Sequence, residues 1–127
     1  MITGIEHIAI YANDSKKLTD WYVENLNAKV VFQNDAGVYF IAFSDKSMIE
    51  ICPNANEKNI PTELTVPGLR HIALAVDNFD ETVDAIKKTG VEIVEDVVKF
   101  PNGVGTMFFR DIEGNILHLI TRKTPLI

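Results

Sequence analysis

Gly4-Ile5-Glu6-His7-Ile8-Ala9-Ile10 returns 64 residues later as Gly68-Leu69-Arg70-His71-Ile72-Ala73-Leu74, with Gly, His, Ile and Ala held in place. A repeat on this scale makes each copy one supersecondary unit, so every later residue has a counterpart to be read beside it. Each copy runs into an acidic, amide-rich turn, Ala12-Asn13-Asp14 in the first and Val76-Asp77-Asn78 in the second. A helical pattern follows both times. Leu18, Trp21, Tyr22 and Leu26 recur at spacings of three and four behind Asp14 or Ser15 as N-cap. Phe79, Val83 and Ile86 repeat the pattern, and Gly90 supplies the stop.

Beyond each helix the period changes to that of strands. Val30 to Phe32, Val38 to Phe43 and Ser47 to Ile51 form one set, and Glu92 to Val98, Thr106 to Arg110 and Ile116 to Ile120 the other. Pro101-Asn102-Gly103 and Glu113-Gly114-Asn115 break the second set into strands. The closing strands align at an offset of 68, which sets Phe40-Ile41 over Phe108-Phe109 and Glu50 over His118. The expected fold is therefore α+β: two βαβββ modules, module one over 1–52 and module two over 68–123, within a single domain spanning 1–127. The stretch 53–67, with three prolines, reads as the linker. Two such half-sheets have apolar faces too large to leave in water, so they are expected to pair as a curved mixed sheet around a cleft. The pairing is within the chain or across a dimer, with a homodimer favoured.

Composition narrows the function. The 127 residues are 46 % apolar and 24 % charged, which excludes a disordered or fibrous chain. Twelve basic residues against eighteen acidic ones give a net charge of −6, so neither nucleic acid nor an anionic membrane surface is an expected partner. No apolar run approaches the roughly eighteen residues that cross a bilayer, and Met1-Ile2-Thr3-Gly4-Ile5-Glu6 lacks the regions of a secretory signal. A cytoplasmic protein with a small-molecule substrate is expected. The single Cys52 excludes an internal disulfide and a cysteine zinc cluster.

The repeat sorts all three histidines. His7 and His71 occupy one position in the two copies, and His118 takes the place of Glu50. Four equivalent positions thus carry four donors. By strand parity Glu50 lies with Met48 and Cys52, and His118 with Ile116 and Ile120, among apolar neighbours where an unpartnered charge would be costly. His7, Glu50, His71 and His118 are accordingly the expected ligands of one divalent metal ion. Zinc is favoured, and nickel, iron or manganese also suit imidazole and carboxylate donors.

These residues resemble the vicinal oxygen chelate superfamily, which includes glyoxalase I, methylmalonyl-CoA epimerase, fosfomycin-resistance enzymes, extradiol dioxygenases and bleomycin-binding proteins. The resemblance rests on the His of Gly4 to Ala9, the Glu of Met48-Ile49-Glu50-Ile51, the His of Leu69 to Asp77, and the Arg110 to Asn115 turn before the last strand. It implies a metal-dependent lyase, isomerase or epimerase of the glyoxalase I type, acting on a substrate with vicinal oxygens. The position of His118 is normally Glu in glyoxalase I and the epimerase, so the family's proton-transfer role falls to Glu50, with His118 as the other candidate. The alternative is a non-catalytic drug- or metabolite-binding protein of the bleomycin-resistance type, and dioxygenase chemistry ranks third.

Other residues have plainer readings. Trp21 and Tyr22 are expected to pack, Cys52 to be a buried inert thiol, and Phe32, Phe40, Met48 and Phe108 to line the cleft or the core. Arg70 and Arg110 meet an anionic substrate tail or water.

Overall fold

The computed structural model describes residues 1–53, 63–65 and 67–127. It divides into two compact units, Met1–Asn59 and Ile60–Ile127. The expected linker over 53–67 lies mostly in 54–62 and 66, outside the described residues.

The first unit runs β1 (His7–Ala12), α1 (Ser15–Asn25), β2 (Lys29–Gln33), β3 (Tyr39–Ala42) and β4 (Met48–Pro53). Its sheet has the order β1-β4-β3-β2, with β1 and β4 parallel and the other pairs antiparallel. The second unit repeats this as β5 (Ile72–Ala75), α2 (Phe79–Lys88), β6 (Ile93–Lys99), β7 (Gly105–Arg110) and β8 (Ile116–Thr121), in the order β5-β8-β7-β6. The fold is α+β, with two four-stranded mixed sheets and one helix on each.

Local chemistry sets the ends of these elements. Asp14 caps α1 by accepting from the Lys17 amide at 3.0 Å, which relieves one of the unpaired donors of the first turn. Ser15 does a different job: its hydroxyl donates to the Gly37 carbonyl at 2.7 Å and ties the helix start to the β2–β3 turn. Asn78 caps α2, whose first turn holds Asp80 and Glu81 and whose last holds Lys87 and Lys88, each sign matched to the helix dipole. Gly90 follows that helix at φ +79°, a conformation that a side chain would strain.

Period-two alternation then divides each sheet into a face against the helix and a face away from it. Ile10, Ala12, Ile41, Ile49 and Ile51 are buried with Leu18, Trp21 and Tyr22 of α1, which makes both aromatics packing residues as expected. Met107, Phe109, Leu117 and Leu119 are buried in the second unit, as are Phe79, Val83 and Ile86 of α2. Each fully buried aliphatic or aromatic side chain contributes roughly 1.5–3 kcal/mol, so these faces hold the units together. The opposite faces are left to carry other chemistry.

The turn into β8 is built on one carboxylate. Asp111, 4 % exposed, accepts from the Glu113 amide at 2.9 Å, the Asn115 amide at 3.0 Å and the Asn115 side chain at 2.9 Å. Arg110 closes the same turn by donating to the Gly114 carbonyl at 2.8 Å, while its Nε lies 3.2 Å from Glu92. This arginine is thus a structural clamp. Asp111→Ala is expected to cost about 2–4 kcal/mol, the net worth of three hydrogen bonds in a buried turn. Urea unfolding checks this through a lower midpoint at an unchanged slope.

Candidate functional site

In the first unit the parallel register pairs Ala9 with Glu50, and the antiparallel one pairs Phe40 with Glu50. His7, two residues before Ala9, shares their face. Its Nε2 lies 3.1 Å from Glu50 Oε2, and its Nδ1 2.6 Å from Glu6 Oε1. Phe40 meets the imidazole edge-on, with centroids 5.2 Å apart. The hydrogen bond to Glu6, joined by the charges of Glu6 and Glu50, raises the His7 pKa against the opposing effect of desolvation.

Cys52 is buried, as expected, but it has a partner. Its Sγ donates to Glu50 Oε1 at 3.3 Å, so both carboxylate oxygens are engaged. Burial pushes the thiol pKa up, and the Glu50 carboxylate adds to that. A thiol so held is a hydrogen-bond donor rather than a nucleophile.

The second unit repeats the plan with different charges. The β5–β8 register pairs Ala73 with His118, and β7 pairs Phe108 with it. His118 stacks on Phe108 at 4.1 Å with the planes 7° apart, and His71 approaches His118 edge-on at 5.0 Å. His71 also meets Phe108 edge-on at 5.2 Å, as His7 meets Phe40. Arg70 Nε donates to His71 Nδ1 at 3.0 Å, and its guanidinium carbon sits 5.5 Å from the Phe108 centroid.

His118 is 7 % exposed, and among the described residues neither ring nitrogen has a hydrogen-bond partner. Burial first, then the charges of His71, Arg70 and Arg122, push its pKa down to about 4. The ring is therefore neutral at physiological pH. Burial and then Arg70 lower the His71 pKa as well.

The four expected ligands thus come in two pairs, His7 with Glu50 and His71 with His118. Within neither unit do three or more His, Cys, Asp or Glu residues gather as a metal-binding group among the described residues. Sequence reasoning passed over Glu6 and left Arg70 between substrate and water. The available signal was that each immediately precedes its histidine in the repeated heptapeptide. Phe40 and Phe108 prove to be the rings that flank the histidines, matching the offset that aligned them.

The model for the Glyoxalase/Bleomycin resistance protein/Dioxygenase superfamily matches residues 4–119 and so takes in both pairs. The chain belongs to that superfamily. Among curated members it is 27 % identical over 123 residues to the metallothiol transferase FosB of Staphylococcus haemolyticus, covering 95 % of this chain and 85 % of that one. It is 26 % identical over 117 residues to biphenyl-2,3-diol 1,2-dioxygenase 3 of Rhodococcus globerulus, covering 91 % of this chain but 61 % of that longer one. Among solved structures, the glyoxalase family protein from Enterococcus faecalis superposes with a TM-score of 0.76 at 25 % identity, covering 93 % of this chain and 97 % of that one. No helix among the described residues is long and apolar enough to cross a membrane.

The His118 environment has a measurable signature in the pH dependence of stability. Its folded pKa of about 4 lies below the unfolded value near 6.5, so the unfolded chain binds more protons across that interval. Stability is expected to be intact above pH 6.5 and to fall by on the order of 1–3 kcal/mol as pH drops towards 4. His118→Leu should flatten that slope in denaturant unfolding measured across this range.

Proposed function

We propose that this superfamily member is a metal-dependent lyase, isomerase or epimerase of the glyoxalase I type, acting on a small substrate with vicinal oxygens. The observation that carries the reading is His118: a buried, neutral imidazole whose two nitrogens have no hydrogen-bond partner among the described residues. Buried polar atoms are nearly always satisfied, and an orphaned imidazole lone pair suits a cation. Glu50 adds an anionic oxygen beside His7, and His71 lies next to His118. The donor set fits a divalent ion.

His7, Glu50, His71 and His118 are the residues that would hold it, with zinc favoured over nickel, iron or manganese. When bound, such an ion polarises the oxygens of the substrate and makes the neighbouring C–H acidic. The chain supplies the proton handling. Glu50 takes the proton from one carbon and returns it to the adjacent one, while the Cys52 thiol fixes its other oxygen. His118 stands where the resemblance implies a carboxylate, so the set carries one anionic ligand, and His118 is the second candidate for moving a proton. The name of the metallothiol transferase relative supports metal dependence. The module boundaries 1–52 and 68–123, cytoplasmic location and assembly as a homodimer belong to the same proposal.

A second reading, sequestration of a drug or metabolite without turnover, draws on the net charge of −6, which favours cationic guests. Metal analysis of protein purified without chelator or affinity tag separates the two. About one equivalent per chain is expected in the wild type, falling to background in His71→Ala while the melting temperature of the metal-free protein is retained. Activity on methylglyoxal–thiol adducts should then depend on the ion. A wild type without stoichiometric metal leaves the sequestering reading standing.

A further inference from the structure

We propose that the residue preceding each histidine is a positioning residue and that the two act in opposite senses, Glu6 presenting His7 to a cation and Arg70 holding His71 back from one. This rests on the metal-binding reading above. The two positions are equivalent in the repeat, and each side chain contacts Nδ1 of the histidine that follows it, Glu6 at 2.6 Å and Arg70 at 3.0 Å. The geometry is shared; the polarity is reversed.

What one ring nitrogen does fixes what the other can do. A carboxylate on Nδ1 accepts its hydrogen, which leaves Nε2, facing Glu50 Oε2 at 3.1 Å, as the nitrogen for a cation that takes the place of the proton between them. Carboxylates placed this way orient metal-ligating histidines and make them better donors. Arg70 carries no lone pair to offer. Its Nε–H donates to His71 Nδ1, so in the neutral ring Nδ1 is the acceptor and the hydrogen sits on Nε2. A cation bound through Nε2 requires that hydrogen to leave, and one bound through Nδ1 displaces Arg70. Arg70 is also restrained from moving away: a terminal nitrogen donates to the Leu64 carbonyl at 3.0 Å, and the guanidinium lies over Phe108. Its positive charge further opposes a second cation beside it.

The test measures the affinity of the full chain for Zn²⁺ alone by competition with a chromophoric chelator, for wild type, Glu6→Gln, Glu6→Ala and Arg70→Leu. Glu6→Gln should weaken binding about 10- to 100-fold. Glu6→Ala should weaken it further, because the glutamine oxygen can still accept from Nδ1. Arg70→Leu should tighten binding several-fold, up to about tenfold, the net worth of one hydrogen bond. Melting temperatures of the metal-free Glu6 variants should match wild type, since the Glu6 side chain is 73 % exposed. Wild-type affinity in all three variants, or weaker binding in Arg70→Leu, overturns this inference while leaving the metal site in place. A wild type that binds no Zn²⁺ overturns the metal reading and this inference with it. Long-range ¹H–¹⁵N spectra of the metal-free protein add an independent readout: His71 should carry its hydrogen on Nε2 and lose that preference in Arg70→Leu. A hydrogen on Nδ1 in the wild type contradicts the assignment.

Discussion

Parallel pairing of the first and last strands of each unit is the constraint on which the rest depends. It sets β1 against β4 and β5 against β8, although a helix and two strands separate them in the chain. A connection of that length is what parallel neighbours require, and the helix that makes the crossover also covers one face of the sheet. The register places Ala9 beside Glu50 and Ala73 beside His118, so His7 at the start of β1 and His71 just before β5 reach their partners on the face away from the helix. A slip of one residue would turn every one of these groups towards the helix.

Much of this was legible in the sequence because it depends on periodicity. The repeated heptapeptide located both histidines, and the offset of the closing strands located Glu50 and His118. Helix positions followed from spacings of three and four, and the caps from side chains that compete for backbone donors. Contacts made by rotamers were not legible. Strand alternation puts Cys52 and Glu50 on one face but does not say that the thiol donates to the carboxylate. Nor does it say that Arg110 turns back onto Gly114 or that Glu6 reaches forward to His7. Such contacts between near neighbours depend on side-chain torsions, which hydrophobic patterning does not report.

The units share a backbone plan and differ in electrostatic character. In the first, an imidazole lies between two carboxylates and stays partly open to water, with 33 % of the His7 side chain and 24 % of Glu50 exposed. In the second, two imidazoles and a phenyl ring form a drier cluster in which the inner ring stays neutral. Low dielectric strengthens any charge interaction made there and penalises any left unmade. One unit is thus suited to neutralising positive charge and the other to presenting uncharged nitrogen.

The opposite charges of Glu6 and Arg70 at one repeated position bear on how such a chain can arise. A protein made from two copies of the first unit would hold four carboxylates around two imidazoles, and one made from two copies of the second would hold four imidazoles and two guanidiniums. The former concentrates negative charge, and the latter carries none at these positions. The two halves of the repeat therefore carry complementary charge at these positions, acidic in one and neutral or basic in the other, which two identical copies would lack.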